Sequence, residues 1–179
     1  MGETKYYFFV EGDSDGTFFE KVIFSISGIP NRGNFKFIKY ARSKKEAING
    51  IIKTLRENNF NYFFFTDFDK GPCVTSVKEK QKVTFPSLED EKIFVVIKKI
   101  ESWYLAGLDN ENSIEMGIEN FESTDNIAKG KFEEMKPAKY NSVKDFSLEI
   151  LKRFSVETAK EKNGSFKYSW IKIINKILE

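Results

Sequence analysis

Two stretches decide the fold: Tyr6-Tyr7-Phe8-Phe9-Val10-Glu11-Gly12-Asp13-Ser14-Asp15 and Tyr62-Phe63-Phe64-Phe65-Thr66-Asp67-Phe68-Asp69. Each is a short run of large apolar residues that breaks into acids. Aromatic and β-branched runs of that length, bounded by polar turn residues, read as buried strands, here Tyr6 to Val10 and Tyr62 to Phe65. The period then changes. Phe18, Phe19, Val22, Ile23 and Ile26 recur at helical spacing, predicting a helix over 14–27 with Ser14 or Asp15 as its N-cap.

The alternation continues outward. Phe35 to Tyr40 reads as a strand, and a helix follows from Ser43, where Glu46 would complete a capping box over the stripe Ala47, Ile48, Ile51, Ile52 and Leu55. Residues 70–91 read as a loop holding a short helix near 74–83. Ile93 to Ile97 is a fourth strand, with a helix over 100–108 directly after it. Further helices are expected near 113–121, 123–135, 142–153, 156–162 and 166–178. Strands alternating with helices predict an α/β fold with a mainly parallel four-stranded sheet and a helical C-terminal portion. One domain over 1–179 is expected, with its core in about 1–108 and the extension in about 109–179.

Composition narrows the chemistry. The 179 residues are 40% hydrophobic and 31% charged, as in an ordinary globular protein, but 19 are Phe. No apolar run approaches the roughly 20 residues of a membrane span. The residues from Met1 to Lys5 lack a signal-peptide pattern, so the expected location is cytoplasmic. Cys73 is alone, which excludes an intramolecular disulfide and a Cys-rich zinc site. There is no His, which removes Ser–His–Asp triads and His-ligated nuclease metals. Proton transfer falls to Glu, Asp, Lys, Tyr or water. The net charge of +2 is unevenly spread: 101–126 holds seven acids and no Lys or Arg, whereas from Lys129 onward twelve bases face seven acids. Such a gradient fits a basic nucleic-acid face or a solvated helical surface.

Ligands of open parallel sheets bind outside the carboxyl ends of the strands. Glu11, Asp67 and Asp69 all belong at that edge. Carboxylates gathered there repel unless a cation sits among them, and hard oxygen donors without His favour Mg²⁺ or Mn²⁺. In extended chain, Asp67 and Asp69 point the same way and suit one cation. Asp15 lies one turn into the first helix and Glu101 at the start of the helix after strand four. Both would equally serve as helix-start acids favoured by the dipole. Lys139 and Lys144 flank another helix start, where they would hold phosphate or form plain polar surface. Trp103 sits at helical spacing with Ile100 and is expected in the core.

Phe-Val-Glu-Gly-Asp-Ser-Asp at 9–15 and Phe-Thr-Asp-Phe-Asp at 65–69 resemble the Toprim superfamily, the acidic domain of topoisomerases, DnaG-type primases and OLD-family nucleases. Its pattern is a Glu after the first strand and Asp-x-Asp after a later one, matched by Glu11 and by Asp67 with Asp69. Glu-Ser-Trp-Tyr-Leu-Ala-Gly at 101–107 is similar to a Glu-x-Trp-Leu element of small stand-alone Toprim-like proteins of bacteria and archaea. The Lys-rich tail around Lys139 and Lys167 resembles theirs more loosely.

The resemblance implies a Rossmann-like Toprim fold and Mg²⁺-dependent cleavage of nucleic acid, DNA before RNA, in defence or repair. Asp67 and Asp69 would hold the metal. Glu11 would ligate it or take the proton from the attacking water. Asp15 and Glu101 would serve a second metal, and Lys139 or Lys144 would neutralise phosphate. The chain departs from OLD nucleases in lacking an ATPase domain, so an ATPase partner would be a separate chain. Three alternatives stand beside cleavage: a non-catalytic Mg²⁺ and nucleic-acid-binding module, primase-like nucleotidyl transfer, and a subunit silent without its partner. The abundant Phe leaves room for an apolar dimer face.

Overall fold

A computed structural model describes residues 4–29, 31–68 and 71–178. Its four strands are β1 (Tyr6–Val10), β2 (Phe35–Lys39), β3 (Asn61–Phe68) and β4 (Ile93–Ile97). They form one parallel sheet in the order β2-β1-β3-β4, flanked by helices, a Rossmann-like arrangement. The connecting helices are α1 (Asp13–Ile23), α2 (Lys45–Glu57) and α3 (Val74–Thr84). The step from β1 to β2 runs one way across the sheet and the step from β2 to β3 runs the other. Right-handed crossovers in opposite directions put α1 and α2 on opposite faces. The order of travel therefore reverses between β1 and β3, and their carboxyl ends open a crevice.

The register explains the Phe-rich composition. Phe8 pairs with Phe37 on one side and Phe63 on the other, so the three rings share a face. Phe8 lies 5.3 Å from Phe37 and 4.9 Å from Phe63 by ring centroids. Phe19 of α1 closes over that layer, 4.1 Å from Phe65. The opposite face carries Phe9, Phe64, Tyr40 and Phe85, with Tyr40 stacked 4.6 Å from Phe64. A fully buried Phe contributes about 1.5–3 kcal/mol through area removed from water, which makes this aromatic sandwich the main source of cohesion.

The chain divides into two compact units, residues 1–95 with 173–179, and residues 96–172. The second unit holds α4 (Ile100–Ala106), α5 (Asn110–Met116), α6 (Lys129–Glu134), α7 (Val143–Lys152), α8 (Val156–Lys162) and most of α9 (Gly164–Leu178). Short α4 is buried along its whole length and packs on α6, α7 and α8. Trp103 is core, as its spacing predicts: its ring meets Phe166 at 5.3 Å and its indole N–H donates to Ser165 Oγ at 2.8 Å. Among the described residues no helix is long and apolar enough to cross a membrane.

Several boundaries differ from expectation for identifiable reasons. Helix α1 begins at Asp13 with Gly12 as its N-cap, rather than Ser14 or Asp15. Ser43 does not cap α2, because its hydroxyl donates back to the Lys39 carbonyl at 2.9 Å. Strand β3 runs three residues beyond Phe65, since Thr66 is buried and its hydroxyl accepts from the Gln81 amide at 2.8 Å. The helix expected over 123–135 shrinks to α6. Its first residues instead spend their polar groups on loop bonds, Thr124 N–H to the Lys162 carbonyl and Asp125 Oδ1 to Gly164 N–H, both at 2.9 Å. The helix expected near 113–121 starts earlier, capped by Asp109, and stops at left-handed Gly117 with φ +76°.

Candidate active site at the β1–β3 crevice

Glu11 follows β1 directly, and Asp67 is the second-last residue of β3. The parallel β1–β3 register brings them to the same edge. The Asp67 backbone N–H donates to Glu11 Oε1 at 3.4 Å, a contact across 56 residues of sequence. Both side chains are half-buried, and Asp67 Oδ1 is shielded from solvent. Asp15 is buried at the start of α1, and its Oδ2 accepts from Gly12 N–H at 3.2 Å, the cap-like role open to a helix-start acid. Asp13 is exposed and ion-paired with Lys39 at the end of β2. Asp69 lies outside the described residues.

A residue that sequence reasoning missed links these acids. Tyr40 follows β2, where its backbone N–H donates to the Val10 carbonyl at 3.0 Å. Its hydroxyl donates to the Phe65 carbonyl at 2.8 Å and reaches Glu11 Oε1 at 3.4 Å. Gln81 of α3 donates to the hydroxyl of Thr66, the residue after Phe65. Polar contacts thus tie Tyr40 to the ends of both β1 and β3. Burial pushes the Tyr40 phenol well above its ordinary value, and the nearby Glu11, Asp67 and Asp15 carboxylates push it further. It stays protonated and keeps donating. The signal is in the sequence: Tyr40 directly follows a parallel strand, which places it at the same carboxyl edge as Glu11.

The Glu11 carboxylate thus touches the Asp67 backbone at a half-buried strand edge, and both side chains offer hard oxygen donors there. Among the described residues no three acidic, His or Cys side chains converge closely enough to hold a metal. The remaining candidates belong to the second unit. Glu101 is buried in the first turn of α4. Lys139 is exposed, donates to the Glu115 carbonyl at 3.1 Å and lies over the Tyr140 ring. Lys144 is exposed near the start of α7. The Ser142 hydroxyl caps that helix by accepting from Asp145 N–H at 3.0 Å. Cys73, exposed at the start of α3, has its thiol pKa lowered by hydrogen bonds from the Ser76 and Thr75 backbone.

The chain matches no family model, no curated protein and no solved structure.

Proposed function

We propose that the chain is a Toprim-type, Mg²⁺- or Mn²⁺-dependent phosphodiesterase acting on nucleic acid, with DNA the favoured substrate and defence or repair the setting. One observation carries the reading: Glu11 and Asp67, distant in sequence, meet at the crevice where the strand order reverses. Crevices of this kind are where open α/β sheets bind ligands. The donors fit the group, being hard carboxylate oxygens with no His and no Cys among them. When bound, the cation would polarise the phosphate and acidify a water.

This chain's own residues supply the rest. Asp67, with Asp69 of the resemblance, would hold the cation. Glu11 would complete its shell or take the proton of the attacking water, a role open to a carboxylate in a chain without His. Asp15, at the start of α1 beside Glu11, would be an acid for a second cation.

The test is cleavage of supercoiled plasmid and of single-stranded DNA in Mg²⁺, Mn²⁺ or EDTA, with wild type beside Asp67→Asn. Metal-dependent cleavage that disappears in the variant is expected. Cleavage that persists in EDTA or in Asp67→Asn at the wild-type rate overturns the assignment.

A second reading is favoured by the occupancy of Glu11, whose carboxylate already accepts from Asp67 N–H and shares the Tyr40 proton with the Phe65 carbonyl. On that reading the edge binds metal and nucleic acid without cutting, or acts only beside a separate ATPase. Wild-type protein that binds Mn²⁺ and DNA but leaves both substrates intact supports it.

A further inference from the structure

We infer that Tyr40 is a positioning residue that makes Glu11 work through one oxygen. The inference rests on the metal reading of the β1–β3 crevice. Both donors that reach Glu11 from the described residues converge on Oε1 at 3.4 Å: the Asp67 N–H, and the Tyr40 hydroxyl, whose single proton is shared with the Phe65 carbonyl at 2.8 Å. The protein therefore holds Glu11 through one oxygen. Oε2 is the one that turns to a cation or to a water's proton.

Tyr40 is built for this task. Its ring is fixed by stacking on Phe64 and by an edge contact to Phe85 at 5.9 Å. Its hydroxyl is tied to the Phe65 carbonyl, two residues before Asp67. The ring thus measures the distance between the end of β1 and the end of β3 from a rigid base. Groups that orient a ligating side chain without touching the metal are worth about 10–100-fold in affinity.

The chemistry that follows is specific. A carboxylate with one oxygen held back ligates through a single atom, leaving coordination positions for water and phosphate. Released from Tyr40, Glu11 would swing to chelate through both oxygens or turn out to solvent. Either change alters the cation's affinity and its room for substrate.

Tyr40→Phe keeps the ring and its stacking while deleting the hydroxyl. Mn²⁺ binding is measured by calorimetry for wild type, Tyr40→Phe, Glu11→Gln and the double variant, with circular dichroism confirming the fold of each. The expected result is roughly tenfold weaker or stronger binding in Tyr40→Phe, and no further change when Tyr40→Phe is added to Glu11→Gln. A purely structural tyrosine would shift the melting temperature in both backgrounds and leave Mn²⁺ affinity alone, which overturns the inference. Equal effects of Tyr40→Phe with and without Glu11 overturn it too. Absence of Mn²⁺ binding by wild type overturns both the inference and the metal reading, whereas unchanged binding in Tyr40→Phe overturns the inference alone.

Discussion

The backbone N–H of Gly12 donates to Asp15 Oδ2 at 3.2 Å, so an acid three residues along closes the first turn of α1. A carboxylate so placed satisfies a donor that the helix itself leaves over and also favours the positive end of the dipole. Asp15→Ala should lower the unfolding free energy by about 1 kcal/mol in urea titration. Asp15→Asn, which keeps an acceptor, should lose less. A variant that keeps its stability but loses Mn²⁺ affinity would show that Asp15 is a ligand first and a helix-start acid second.

Gly107 ends α4 against the side of the Phe154 ring. A Cβ there would stand 2.2 Å from one ring carbon and 2.4 Å from the next. The backbone on both sides is pinned, because Ser155 N–H donates to the Gly107 carbonyl at 2.9 Å. Gly107→Ala should therefore cost about 1–3 kcal/mol, the range for forcing atoms into a packed interior. Phe154→Leu alone should also destabilise, but the double variant should be more stable than the two losses added together predict. Strict additivity in denaturant melts would show that the ring moves aside freely.

Alkaline pH should unfold this protein through its tyrosines. Burial raises the Tyr40 phenol well above its usual range and does the same to Tyr62. The unfolded chain ionises both near pH 10. The folded chain holds their protons to higher pH, so it binds more protons than the unfolded chain above that point, and stability falls as pH rises. The contribution is complete below about pH 10 and declines above it. Wild type minus Tyr62→Phe, compared by urea midpoint at pH 8 and pH 11, should show the smaller pH-dependent loss in the variant. An identical loss in both proteins would remove Tyr62 from the account.

Legibility in the sequence followed periodicity. β1 and β4 have the bounds that their apolar runs predict, and α8 does as well. Tyr6 to Val10 and Ile93 to Ile97 are buried along almost their whole length, so hydrophobicity alone marks them. β3 outruns its apolar stretch because hydrophobicity stops at Phe65 while the strand continues to Phe68, with Thr66 held by the Gln81 side chain, a contact that no apolar pattern records. That difference matters to the site, since it puts Asp67 inside the strand. Strand-end logic located Glu11 and Asp67, which do meet. Tyr40 escaped because an aromatic at the end of an aromatic strand looks like more core. The helix ends erred wherever Ser, Thr, Asp or Gly chose between capping and looping, a choice decided by partners such as Lys39, Lys162 and Gly164 that lie elsewhere in the chain.

The central place of β1 bears on how the chain reaches its native state. β1 precedes both of its partners, and the acid pair at its end closes a span of 56 residues. Until β3 arrives, Tyr-Tyr-Phe-Phe-Val offers an open backbone edge with no charge to deter a neighbour. Short aromatic segments of that kind pair readily with copies of themselves. The same pairing that assembles Glu11 with Asp67 therefore also shields the stickiest five residues of the β1 segment. Substitutions that delay the docking of β3 should lower the yield of soluble protein before they touch any activity, and co-expressed chaperones should recover it.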